Sequence, residues 1–154
     1  MRNSEPAQAT SRDLEFMELA IEQARTGADE GGLPSGAALV CDREVLGVGR
    51  NRLVQFGSVI RHGETDCLEN AGKLAADVYA RSTLYTTMSP CQMCAGAVLL
   101  HGIPRVVIGE NHSWQSSEEL LRDHGVEVIV LDLESCTAMM RDLIEHHPEL
   151  WDWQ

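Results

Sequence analysis

The chain has 154 residues with 44% hydrophobic and 5% aromatic content, enough for one well-formed core and too short for two ordinary domains. Twelve basic against 24 acidic side chains give a formal charge of -12, which repels polyanions over most of the surface and favours a small uncharged substrate over nucleic acid. Residues 1–11 lack the apolar core of a secretory signal, no apolar run approaches the roughly 18 residues of a membrane span, and five cysteines do not suit a disulfide framework; a cytoplasmic protein is expected.

Residues 1–12 read as a flexible arm before a single domain over 13–154. Leu14, Met17, Ile21 and Ala24 recur at helical spacing, so a first amphipathic helix is predicted over about 11–26, with Gly27 as its stop. A Gly-Gly-Leu-Pro-Ser-Gly loop follows. Two short apolar runs, 37–41 and 45–49, are separated by Asp42-Arg43-Glu44 and read as a hairpin, with Asn51 just beyond it.

A helix is predicted from His62 to about Leu74, a strand over 83–87, a helix over 91–101 with Gly102 past its end, and a strand over 105–109. Ser116 and Glu119 have the spacing of a capping box opening a short helix that Gly125 closes. Residues 126–131 form a β-branched fifth strand, and the last helix spans about 134–146, its Met139/Leu143 and Met140/Ile144 pairs reading as core contacts. This order predicts a three-layer α/β/α sandwich: a five-stranded, mixed, mainly parallel sheet flanked by helices.

The chemistry lies in His62-Gly63-Glu64 and Pro90-Cys91-Gln92-Met93-Cys94. One imidazole and two thiolates, from His62, Cys91 and Cys94, make three protein ligands to a tetrahedral zinc and leave the fourth position for water, as catalytic sites do. Both motifs open predicted helices, where unpaired N–H groups and the positive dipole end favour thiolates. Cys91 and Cys94 are i,i+3 neighbours on one face. His62 and Glu64, two apart, would diverge by about 200° on a regular helix, so they must occupy its irregular first turn. Glu64 then stands beside the bound water as proton shuttle, while zinc brings the pKa of that water from about 15.7 towards 7. Cys67, rotated by about 140° from His62, is excluded as a fourth ligand. Together the two motifs are the zinc-deaminase signature.

Further stretches match as well: Gly31-Gly32-Leu33-Pro34, Asn51, Leu68-Glu69-Asn70, Thr83-Leu84-Tyr85-Thr86-Thr87, Ser89-Pro90-Cys91, and 102–105 through Gly109-Glu110-Asn111. With them, the chain from about Glu15 to Trp151 resembles the fungal-type zinc-dependent cytosine deaminases, within the cytidine and deoxycytidylate deaminase superfamily. The resemblance implies a cytidine deaminase-like fold, a homodimer, one zinc per chain with a bound water or hydroxide, and a free-base substrate. It implies that the Asn51 amide and the Gly63 N–H hold the ring carbonyl, that the Ser89 carbonyl receives the leaving amine, and that the Cys91 N–H faces the water. Trp114 and Trp151 resemble the aromatic wall and C-terminal lid over the ring. Two features depart from the family: Gln154 stands where it has an acidic residue contacting the substrate amine, with Asp152 two positions earlier, and Thr65-Asp66-Cys67 differs from the usual residues. Deamination of cytosine is therefore expected; the alternatives are creatinine, an s-triazine, isocytosine or a guanine-like ring, and more remotely a nucleic-acid-editing deaminase.

Overall fold

The computed structural model describes residues 8–152. Gln154, a sequence candidate for substrate contact, lies outside them. Thr10 opens α1 (Ser11–Asp29) with a reciprocal cap: its hydroxyl accepts the Asp13 N–H, and the Asp13 carboxylate accepts the Thr10 N–H at 2.8 Å. The helix runs past the expected stop at Gly27. That glycine is buried where a Cβ would come within 3.2 Å of the Leu33 carbonyl oxygen, so it serves close packing rather than termination.

β1 (Gly36–Cys41) and β2 (Glu44–Arg50) form the expected hairpin, turned by Asp42 and Arg43 at φ 49° and 69°. Two consecutive left-handed residues match the right-handed twist of the flanking strands. There follow α2 (Leu53–Phe56), α3 (Gly63–Ala71), α4 (Ala76–Tyr79), β3 (Ser82–Met88), α5 (Gln92–His101), β4 (Arg105–Glu110), α6 (Glu118–Asp123), β5 (Glu127–Val130) and α7 (Glu134–His146), then a 3-10 turn at Pro148–Leu150. The single-turn helices α2 and α4 had no periodicity to announce them. α3 ends before residue 74 because Gly72 turns the chain at φ 80°. The capping box at Ser116 and Glu119 does not form: α6 starts one turn position away, Ser117 occupies the cap without a side-chain bond, and the Ser116 and Ser117 hydroxyls pair at 3.1 Å.

The sheet order is β2-β1-β3-β4-β5, with β1 antiparallel to both neighbours and β3, β4 and β5 parallel. Period-two alternation divides the strands between two cores. Leu39, Leu84, Val106, Ile108 and Val128 pack with Cys67, Ala95, Val98 and Leu121 from α3, α5 and α6. Ala38, Val40, Tyr85, Val107 and Ile129 pack with Met17, Ala20 and Ile21 of α1 and Cys136 of α7. The predicted three layers are thus present. Met140 and Leu143 are buried and join a third cluster with Leu33 and Met88, against which Trp114 and Trp151 rest.

Asp13 ties the α1 layer to the sheet. It is 1% exposed, receives two N–H bonds from Arg105 at 2.7 Å, and accepts the Tyr85 hydroxyl at 2.9 Å. Burial alone would raise its pKa, but Arg105, the Thr10 N–H and Tyr85 together hold it down at about 2, against an ordinary 3.8. A depressed carboxyl stabilises the fold fully above its unfolded pKa, and that contribution fades as pH falls through the folded value. Urea midpoints of the native chain should therefore drop between about pH 4 and pH 2, and Asp13→Asn should flatten that decline. Identical slopes in the two proteins would remove Asp13 from the acid response.

Candidate active site

Two helix starts meet, those of α3 and α5, which pack into one core cluster. His62 is the N-cap of α3 and Cys91 the N-cap of α5, both with extended backbone (φ -71°, ψ 170° and φ -76°, ψ 177°). The divergence of His62 and Glu64 on a regular helix is avoided in this way. Thr65 locks the first turn of α3: its hydroxyl oxygen accepts the His62 N–H at 2.9 Å and donates to the Ile60 carbonyl.

His62, Cys91 and Cys94 bring their ligand atoms within 4.8 Å of one another. His62 Nδ1 lies 3.4 Å from the Cys91 sulfur and 3.6 Å from the Cys94 sulfur. Tetrahedral zinc with ordinary Zn–S and Zn–N bonds separates a sulfur and a nitrogen by about 3.6 Å, so the donor set fits zinc without rearrangement. The chemistry of the donors agrees with their geometry. A hydrogen bond from Cys94 draws the Cys91 thiol down to about 4 against burial, helped by His62, while the same bond and burial push Cys94 up. Burial opposes a charge on His62, yet the Cys91 hydrogen bond and the nearby Glu64 raise its pKa.

Cys67 is outside this group, as the helical angle requires. It is fully buried, its sulfur donates to the Gly47 carbonyl at 3.4 Å, and burial raises its pKa to about 12. Cys41 and Cys136 are likewise buried free thiols, as small apolar residues would be.

A cavity opens beside the ligands. Of the candidates read from the sequence, Asn51, His62, Glu64, Ser89 and Cys91 line it together with Trp114 and Trp151, whose rings meet edge to face at 6.4 Å. Gly63 is buried at the first residue of α3, against the backbone of Gly36. Asp152 is exposed and does not line the cavity. Leu33, Ser35 and Met88 also line it; Leu33 lies in one of the matched stretches, but none of the three was read as a site residue.

Hydrogen bonds orient the polar lining. Asn51 Oδ1 accepts the Leu53 N–H at 3.0 Å, which commits its carbonyl and leaves the amide N–H2 as donor. Glu64, 4% exposed, has Thr86 Oγ1 at 2.5 Å from its Oε1, and that hydroxyl also lies 2.9 Å from the Met88 carbonyl. The Ser89 hydroxyl donates to buried Glu118 at 2.7 Å. Thr86 and Glu118 were not legible as site residues, because each acts on a neighbour far along the chain.

A sandwich with a His/Cys/Cys cluster that fits zinc on two helix starts, a carboxylate beside it and a cavity lined by two tryptophans has the make-up of a zinc-dependent deaminase, a hydrolase. Residues 10–110 match the cytidine and deoxycytidylate deaminase zinc-binding region, and the chain belongs to that family. It is 43% identical over 144 residues to a cytosine deaminase of Candida albicans, covering 93% of this chain and 96% of that protein. A tRNA-specific adenosine deaminase of Buchnera aphidicola is 29% identical over 126 residues, covering 81% of this chain and 80% of that one. Among solved structures, a guanine deaminase from Nitrosomonas europaea shares the fold at TM-score 0.69 and 22% identity, over 91% of this chain and 88% of its own. A tRNA:A34 deaminase superposes at TM-score 0.67 with 27% identity, over 78% of this chain and 99% of its own.

Proposed function

We propose that this chain hydrolyses cytosine to uracil and ammonia as a free base. The observation that supports this reading is the small cavity lined by Glu64 and the two tryptophans. Its free interior is about 40 Å³, by a measure in which one water needs roughly 10–15 Å³. One planar ring can fill such a space. A nucleoside or an extruded nucleotide requires the Trp114 and Trp151 roof to lift, and the net charge of -12 opposes approach of a polyanion. The similarity to the Candida albicans cytosine deaminase over nearly both full lengths supports the same ring.

His62, Cys91 and Cys94 would hold the zinc ion, which would supply the Lewis acid that makes water nucleophilic near neutral pH. Glu64 takes one proton from the attacking water and passes it to ring N3 as the water oxygen bonds to C4; it then carries the proton left on that new hydroxyl to the exocyclic amine, and the C4–N bond breaks to release ammonia. The Asn51 amide and the Gly63 N–H hold the ring carbonyl; the Ser89 carbonyl accepts an N–H of the leaving group, and the Cys91 N–H faces the water. Glu118 fixes Ser89 through its hydroxyl. The tryptophan roof excludes solvent, which strengthens each of these polar contacts.

A homodimer completes the reading. Eight of the ten residues of α5 are apolar or glycine, so its apolar surface extends around the helix, and Met93 and Leu100 remain exposed in one chain. Phe56, Val59 and Ile60 are exposed as well, and a second copy of this chain is the partner that would cover such faces. No helix among the described residues is long and apolar enough to cross a membrane, and a cytoplasmic location is part of this proposal.

The test is ammonia release from zinc-loaded protein offered cytosine, isocytosine, creatinine, triazines, guanine and nucleosides. Turnover of cytosine above the other rings supports the proposal; turnover of nucleosides but no free base overturns it. Deleting residues 151–154 should raise KM and lower kcat by opening the roof, and unchanged constants would remove the tail from the site.

A further inference from the structure

Asp66 is fully buried, yet no step above uses it. Four donors converge on its carboxylate. Arg52 Nε lies 3.1 Å from both oxygens, Arg61 Nε 3.4 Å from Oδ1, the Arg50 backbone N–H 3.0 Å from Oδ2, and Asn70 Nδ2 3.3 Å from Oδ2. The two arginines stand at opposite ends of one excursion of the chain, residues 52–61. Arg52 directly follows Asn51, and Arg61 directly precedes His62.

The backbone closes the same base, since the Arg52 N–H donates to the Arg61 carbonyl at 2.9 Å. Both guanidinium groups also lie against the Phe56 ring, 5.1 and 5.7 Å from its centroid. Asp66 itself is carried on a rigid seat: α3 presses onto β2 so closely that a Cβ at Gly49 would be 2.2 Å from the Cys67 nitrogen.

We propose that Asp66 is a positioning residue: by clamping Arg52 and Arg61 it sets the position of Asn51 relative to His62, and so the register of the substrate ring against the zinc ligands. The substrate half of this rests on the reading of Asn51 given above. The physical cause is charge. Without the carboxylate, two guanidinium groups with side chains only 18% and 33% exposed face each other over a shared aromatic ring, and their repulsion splays the base of the excursion. A displacement near 1 Å at a contact of this kind is enough to cost about a hundredfold in rate.

The experiment compares the full-length native chain with Asp66→Asn and Arg61→Gln, well below their melting temperatures. Zinc affinity is read by competition with a chromophoric chelator, and KM and kcat are read with cytosine. Asp66→Asn should weaken zinc about tenfold or more and raise KM by a larger factor than it lowers kcat. Arg61→Gln should move both in the same directions by a smaller factor, and it keeps the proposal testable where Asp66→Asn does not fold. Adding Arg52→Gln to Asp66→Asn should cost little further, because both act through one clamp. Folded variants with lower melting temperature but unchanged zinc affinity and KM would overturn the proposal, leaving Asp66 as a brace for the fold. Where the native chain turns over no cytosine, the zinc measurement alone decides for or against the clamp, so that failure of the substrate reading remains distinct.

Discussion

Glu64→Ala should bind zinc as the native chain does and lose turnover by a factor on the order of 10²–10⁴, the range for a positioned acid-base group. Glu64 is outside the ligand triad and sits at the second residue of α3, buried beside it. Its removal takes away the only buried carboxylate among the described residues that line the cavity, while the Nδ1 and sulfur positions stay as they are. Metal content by atomic absorption and kcat by ammonia release are the two measurements. Glu64→Gln sharpens the comparison, because the amide keeps the hydrogen bond with Thr86 but cannot carry a proton between water and ring. Retention of most of the native rate by either variant would mean that another group moves the proton.

Cys91→Ser should lose both metal and activity. A serine hydroxyl does not ionise near neutral pH, so the site falls from three charged or neutral donors to two and no longer closes around zinc. Cys91 is the more exposed of the two sulfurs and the one drawn to about 4, the form in which a thiol ligates. Dialysis against a weak chelator followed by metal analysis should show near-stoichiometric zinc in the native chain and a large deficit in the variant. Cys67→Ser is the control. Its sulfur is engaged by Gly47 away from the triad, so zinc should be retained even though the core around α3 is weakened. Zinc loss in that control would restore Cys67 as a ligand and contradict the geometry.

Local pattern carried most of the fold. The apolar runs of β1 and β4 stand out in sequence because these strands are buried on both faces, and α7 falls where its apolar pairs placed it. The His62/Cys91/Cys94 cluster was legible as two short motifs, His62-Gly63-Glu64 and Cys91 to Cys94, each a recognisable pattern of neighbours although the two lie 29 residues apart. What escaped was either too short or too distant. α2 and α4 are single turns, shorter than the period that would reveal them. Thr86 meets Glu64 across 22 residues, Glu118 meets Ser89 across 29, and Asp66 meets Arg52 across 14. Such pairs come together only when strands and helices are assembled, and no single window of sequence contains both members. Ser116 is not the cap: Ser117 takes that position, and the next residue, Glu118, turns its carboxylate to the Ser89 hydroxyl.

Trp114 and Trp151 differ from His62, Glu64 and Cys91, which also line the cavity, in how they are attached. Trp114 belongs to the segment between β4 and α6, and Trp151 follows the 3-10 turn after α7, so neither ring is borne by a strand or by the two helices that carry the ligands. For anyone seeking to retarget the enzyme, this separation marks out where a mutant library belongs. Randomising 112–116 and the positions after 147 changes the shape offered to a ring while His62, Glu64, Cys91 and Cys94 keep their seats, whereas the same effort spent on α3 or α5 puts the reaction itself at risk.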